Sequence, residues 1–195
     1  VCELQAVTDL PLQIDTSDPA AMEAALRRYN GKAMINSVSG KESSMEAIFP
    51  LVKKYGGLVV ALTLDDNGIP QTAEGRLAIA RRILKRAEDY GISSKDIIFD
   101  PLAMTVSAEP SAAVQTLKAV ELIRNTLGCH TSLGVSNVSF GLPARDAVNS
   151  AFFACAMERG LSAAIMNPYS TDMMKAYHSF KALHNMDENC GEYIA

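Results

Sequence analysis

Cysteine pairs, a basic surface and a long apolar run are what this chain has least of. Its cysteines stand far apart at 2, 129, 155 and 190, with no C-x-x-C between them. That spacing leaves neither a disulfide framework nor a zinc site and points to free thiols in a reducing compartment. His178 and His184 lie six positions apart, poor spacing for two ligands on one helical face, so no metal is expected. No run approaches the roughly 18 apolar residues a membrane helix needs. The start, VCELQAV, lacks the basic segment of a secretory signal. A net charge of −4 argues against a nucleic-acid surface, which needs a basic stripe. Together these absences lead to the expectation of a cytoplasmic protein with neither nucleic acid nor membrane as partner.

What remains is ordinary for a globular protein: 195 residues, 48% hydrophobic and 21% charged, enough for one domain with a real core. The pattern within it is less ordinary. Six short apolar runs, PLQID, AMINS, LVVALTLD, IIFDP, TSLGVSN and AAIMN, each stop at one polar residue: Asp15, Asn36, Asp65, Asp100, Asn137 and Asn167. The runs recur about every 30 residues, the size of a βα unit, and each is followed by a helix-length segment. Alternation of this kind predicts a parallel α/β fold. LVVALTL and AAIM are nearly continuous apolar runs, as strands buried on both faces require.

The helices announce themselves. Asp18-Pro19 offers an N-cap and a proline in the first turn, ahead of Met22, Leu26 and Tyr29. A second segment, 41–55, puts Met45, Ile48, Phe49 and Val52 on one face and ends at Gly56-Gly57, with Pro50 expected to kink it. A third, 72–90, turns Leu77, Ala80, Leu84 and Ala87 inward. Ala113, Leu117, Val120 and Leu127 pattern a fourth, and the last two cover about 144–159 and 171–183. The nine methionines read as core filler rather than a binding surface. Six units fall short of the ~250 residues and eight strands of a closed barrel, which leaves a distinct six-stranded α/β fold or a barrel lacking two strands.

LQIDTSDP, KAMINSVSG, IIFDPL and above all LGVSNVSFGLPAR resemble the pterin-binding methyltransferase family: the methyltetrahydrofolate:corrinoid methyltransferases and the folate domain of cobalamin-dependent methionine synthase. The resemblance runs from about Leu12 to Asn167, in the family's order and spacing. It implies a TIM barrel of the dihydropteroate-synthase-like type, truncated here to about six βα units, with residues 1–195 forming a partial pterin-binding domain without the family's first two strands. It also implies a reaction, transfer of the N5-methyl group of 5-methyltetrahydrofolate to a Co(I) corrinoid. The corrinoid would come on a partner protein or a cobalamin-binding domain, since the D-x-H-x-x-G signature of such domains is missing from this chain, as is a cysteine cluster for a homocysteine-activating zinc. A homodimer is held open.

The resemblance assigns roles residue by residue. Asp15 and Asp100 match pterin-binding aspartates, whose carboxylates accept from the exocyclic amine and ring N–H groups; each also reads as a turn residue. Asn36 matches an asparagine whose amide both donates and accepts, although a bond tying neighbouring loops would suit it equally. Asn137 matches the residue that contacts N5 and eases departure of the methyl group. An amide has no useful acidity, so its part is electrostatic. Gly134 and Ser136 shape that loop. Asp65 can reach the ligand or simply start the turn Asp65-Asp66-Asn67-Gly68, and Arg145 can meet a folate carboxylate or cap its own loop. Asn167 reads as a loop brace.

Two rivals share the pterin site. Dihydropteroate synthase carries a lysine after its seventh strand and Arg-x-His near its eighth, where this chain has GVSN and MNPYS. A non-catalytic pterin-binding subunit would have little need of Asn137. A phosphate-binding barrel would want glycine-rich loops at its last strands, and GLP is not one. An open six-stranded piece would also expose two sheet edges, so the chain is expected to be part of a longer protein.

Overall fold

The computed structural model describes residues 1–194. A short helix α1 (Cys2–Gln5) precedes β1 (Gln13–Asp15), α2 (Pro19–Leu26), β2 (Met34–Ser39), α3 (Glu42–Tyr55) and β3 (Leu58–Leu62). Then come α4 (Ala73–Asp89), β4 (Ile97–Asp100), α5 (Ala112–Leu127), β5 (His130–Gly134), α6 (Arg145–Glu158), β6 (Ala163–Ile165), α7 (Thr171–Leu183) and α8 (Gly191–Ile194). The strands form one sheet in the order β1-β2-β3-β4-β5-β6, every neighbouring pair parallel. This is a (β/α) barrel opened to six units, a curled half-barrel with all strand C-termini on one face, as the alternation implies.

The local signals work as chemistry requires. Asp18 accepts the Ala20 N–H at 2.8 Å and Pro19 opens α2, while the Thr72 hydroxyl accepts the Gly75 N–H at 3.1 Å and starts α4. Gly56 ends α3 at φ 68°, in the left-handed region. α3 runs on through Pro50 as one helix; Pro50 is exposed, so the carbonyl it leaves without an N–H faces water.

Two apolar clusters fill the space between sheet and helices. Ile35, Met45, Phe49, Val59, Ile83 and Phe99 belong to the larger, under β1–β4; Val120, Leu133, Val138, Phe152 and Met173 belong to the smaller, around β5 and α6. On α4 the buried stripe includes Ile79 and Ile83 beside the expected Leu77, Ala80 and Ala87, and Leu84 is only partly buried. The same stripe contains a charge, Arg76.

Strand ends differ in detail from the apolar runs. β2 continues past Asn36 to Ser39 across a register shift, whereas β5 stops at Gly134 and Val135–Ser139 forms a 3-10 turn. Asp15, Asn36 and Asp100 therefore lie within strands, and Asp65, Asn137 and Asn167 lie beyond them.

Candidate active site

Two polar groups stand on the C-terminal face. In the first, β1 and β2 pair so that Asp15 and Asn36 are register partners, and Asn36 Nδ2 donates to Asp15 Oδ2 at 3.1 Å. Asp15 does not cap the turn after β1, where the Thr16 hydroxyl accepts the Asp18 N–H instead. Its exposed carboxylate keeps one oxygen for a ligand, oriented by the amide beside it. A cavity of about 440 Å³ opens here, lined by Asp15, Asn36, Ser37, Lys41 and Leu62 among others.

The second group joins β4 to β5. Asp100 is buried, 7% exposed, and its Oδ1 accepts the N–H of Leu102 at 2.7 Å. Leu102 reaches it by taking a left-handed backbone, φ 66°. Burial pushes the Asp100 carboxyl up to about 6, while the N–H groups of Leu102 and Gly134 and the charge of Arg76 pull in the other direction. The Gly134 N–H, at the end of β5, faces this carboxylate.

Gly134 also has a close neighbour above it. A Cβ there would come within 3.1 Å of Asn137 Nδ2, so glycine lets the amide lie over the strand end. Among the described residues the exposed Asn137 side chain has no hydrogen-bond partner within the chain, although its loop is well held. Val106 donates its N–H to the Val138 carbonyl at 3.0 Å, and Thr105 Oγ1 and Ser107 Oγ both donate to the Phe140 carbonyl at 2.7 Å. From the other side Arg145 donates to Ser139 Oγ at 2.9 Å and the Ser136 carbonyl at 2.8 Å, its guanidinium 4.6 Å from the Phe140 ring centroid. A firm loop thus presents an unengaged amide, the arrangement a preorganised electrostatic group needs.

The remaining candidates are placed otherwise. Asp65 spends one carboxylate oxygen on the Asn67 N–H and the other on Arg82, at 2.9 and 3.1 Å, in a turn that borders a different cavity, beside α4. Asn167 braces its own loop, accepting the Tyr169 N–H at 3.0 Å. Arg145 anchors the Asn137 loop and, with Ser136, Asn149 and Asn167, also borders a cavity of about 610 Å³ between α6 and α7. Sequence reasoning missed Thr105, Ser107 and Arg76. The two hydroxyls carry no pattern of their own, whereas Arg76 has a legible signal, a charge on the apolar face of a helix. Among the described residues no three His, Cys, Asp or Glu side chains gather as a metal site, and no helix is long and apolar enough to cross a membrane.

Comparison with known proteins bears on this geometry. A family model described as pterin binding enzyme matches residues 1–167. A methylcorrinoid:tetrahydrofolate methyltransferase of Eubacterium limosum is 33% identical over 193 residues, covering 97% of this chain and 71% of that protein. Methionine synthases of Mycobacterium tuberculosis and Mycobacterium leprae are 33% and 32% identical over 177 residues, covering 84% of this chain but only 15% of each synthase.

Proposed function

The chain belongs to the pterin-binding enzymes, and from that premise we propose that it moves a methyl group between N5 of tetrahydrofolate and the cobalt of a corrinoid carried by a partner protein or domain. The observation that carries the proposal is the unpartnered amide of Asn137 on a braced turn over Gly134, whose N–H faces the buried carboxylate of Asp100. The similarity to a methylcorrinoid:tetrahydrofolate methyltransferase along nearly the whole chain supports it. The name of that relative has the methyl group travelling toward the folate. Written the other way, methyltetrahydrofolate is the donor; by microscopic reversibility the same residues serve both directions.

In this proposal Asp100 accepts from the pyrimidine edge of the pterin as a carboxylate, and Asp15, aligned by Asn36, accepts from a second donor on the ring. Asn137 sits against N5. As the methyl group leaves, N5 gains electron density and takes up a proton from solvent, and the amide stabilises that change by a hydrogen bond that strengthens along the way. The corrinoid supplies a cobalt that accepts or gives up the methyl group. GVSN in place of a lysine after β5 favours this chemistry over dihydropteroate synthesis. Asp65, committed to Arg82 and its turn, contributes through that loop, and Arg145 by holding Ser136 and Ser139. A cytoplasmic location fits the scattered cysteines.

The test pairs binding with turnover. Methyltetrahydrofolate should bind the chain by calorimetry, and methyl transfer with free Co(I) cobalamin should be visible by absorbance. Asn137→Ala should lower turnover by about 10²–10³-fold, the loss typical of a transition-state hydrogen bond, with folate affinity changed by far less. Full turnover in that variant would remove Asn137 from the mechanism. Binding without any turnover would leave a pterin-binding subunit, and no binding would end the proposal.

A further inference from the structure

Arg76 is the most deeply buried charge near the site, 2% exposed on the core stripe of α4. The hydrogen bonds of its guanidinium all go to neutral oxygens. Nε donates to the Pro70 carbonyl at 3.0 Å, and Nη1 donates to the Leu102 carbonyl at 3.2 Å and to Thr116 Oγ1 at 2.8 Å. Among the described residues no carboxylate lies within ion-pair distance of it. A buried cation without a direct counter-ion is costly, and burial correspondingly lowers the proton affinity of Arg76. Bracing two loops does not by itself call for a charge.

The connection that gives the charge a use passes through Leu102. Its carbonyl accepts from Arg76, and its N–H donates to Asp100 Oδ1 at 2.7 Å. Asp100 is the anion whose field acts on Arg76, and the reverse. We propose that Arg76 is a positioning residue for Asp100: its charge offsets the burial of that carboxylate, and its hold on Leu102 fixes the N–H that aims it at the pterin. The proposal rests on the pterin-binding role given to Asp100. An amine or ring N–H of the pterin needs an ionised acceptor, and a carboxyl in so dry a place would otherwise hold its proton near neutral pH. The groups that face Asp100 are the Arg76 guanidinium from α4, the Gly134 N–H from β5 and the Leu102 N–H from the β4–α5 connection, so Arg76 is the one cation available for this.

Two readouts on the full chain test it, one needing no ligand. The first is titration of the Asp100 carboxyl by carbon NMR, and the second is the pH dependence of methyltetrahydrofolate binding. Arg76→Gln should raise both midpoints by about one pH unit, the low end of what a nearby opposite charge does, whereas Arg76→Lys, which keeps a charge, should leave them close to wild type. Thr116→Val, which removes one neutral partner of the guanidinium and a second bond to the Leu102 carbonyl but keeps the charge, should lower the melting temperature and shift the midpoints by clearly less than Arg76→Gln. In an Asp100→Asn background Arg76→Gln should change binding by less than twofold, since the residue through which it acts is gone. An Asp100 midpoint that does not move in Arg76→Gln would reduce Arg76 to a staple between loops. If that variant does not fold, Arg76→Met, which keeps the apolar stem without the charge, is read in the same way: a midpoint that stays at the wild-type value would overturn the proposal, and a full-unit rise would support it. If wild type binds no folate, the pterin reading fails while the NMR titration still decides whether Arg76 governs Asp100.

Discussion

At the residue scale the role proposed for Asp100 sets function against stability. Its folded value of about 6 lies above the ordinary carboxylate value, so the charged form is the one the fold disfavours. Between about pH 4 and 6 the folded state binds more protons than the unfolded one, and stability falls as pH rises through that window, then levels off. Two units correspond to roughly 3 kcal/mol as an upper figure. Asp100→Asn keeps an oxygen for the Leu102 N–H and removes the charge. It should therefore gain about 1–3 kcal/mol at pH 7, lose the acid-side slope in denaturant titrations between pH 4 and 7, and bind methyltetrahydrofolate at least about tenfold more weakly, the loss of one charge-assisted bond. A variant no more stable than wild type at pH 7 would mean that Asp100 is adequately solvated. Asp15, Asn36, Asp100 and Asn137 were legible as polar stops on apolar runs, because a polar group at the end of a buried strand must meet either solvent or a ligand. Thr105 and Ser107 were not, since a hydroxyl reaching a carbonyl 33 or 35 residues away leaves no trace in local sequence.

At the element scale, what matters is that two loops are laced into one. The β4–α5 connection and the Val135–Ser139 turn share the Val106–Val138 backbone bond and two hydroxyls on the Phe140 carbonyl. Replacing both hydroxyls, Thr105→Val with Ser107→Ala, leaves that exposed carbonyl to water and cuts both bonds. A cost of about 1–3 kcal/mol follows, with turnover expected to fall by about tenfold because Asn137 loses its fixed height over Gly134, while folate binding at Asp15 and Asp100 changes little. Steady-state kinetics that showed instead a raised KM and unchanged kcat would place the lacing in ligand binding. Caps and periodicity made the helices readable: Asp18 and Gly56 act where they stand in the sequence. The end of β5 was not readable, because TSLGVSN is uniformly small and apolar enough to pass for a strand. The ladder to β6 ends at Gly134 opposite Ile165, and the chain is free to turn only after that, which puts Asn137 on a 3-10 turn instead of in the sheet.

At the scale of the whole molecule, Asp15 and Asn36 on one side and Asp100 and Asn137 on the other are separated by β3, and in the proposed reading a single flat ligand spans it. The sheet that carries them is open: β1 and β6 are its two edges and are not paired with each other. Their chemistry differs. β1 presents Gln13 and Asp15, with a charge on the edge that discourages further strand pairing. β6 presents Ala163 and Ile165, and Ile165 and Tyr169 beside it are both exposed. Self-association of the 195-residue chain should accordingly run through the β6 side. Sedimentation velocity at physiological salt should show a concentration-dependent dimer that Ile165→Lys weakens by about tenfold or more, since a lysine there removes apolar area and puts a cation on the edge, whereas Gln13→Lys should have little effect. The reverse pattern would make β1 the reactive edge despite its charge. A chain that stays monomeric in both variants and in wild type would show that three-residue edge strands are too short to pair, which is the other way natural sheets keep an open edge from joining another chain.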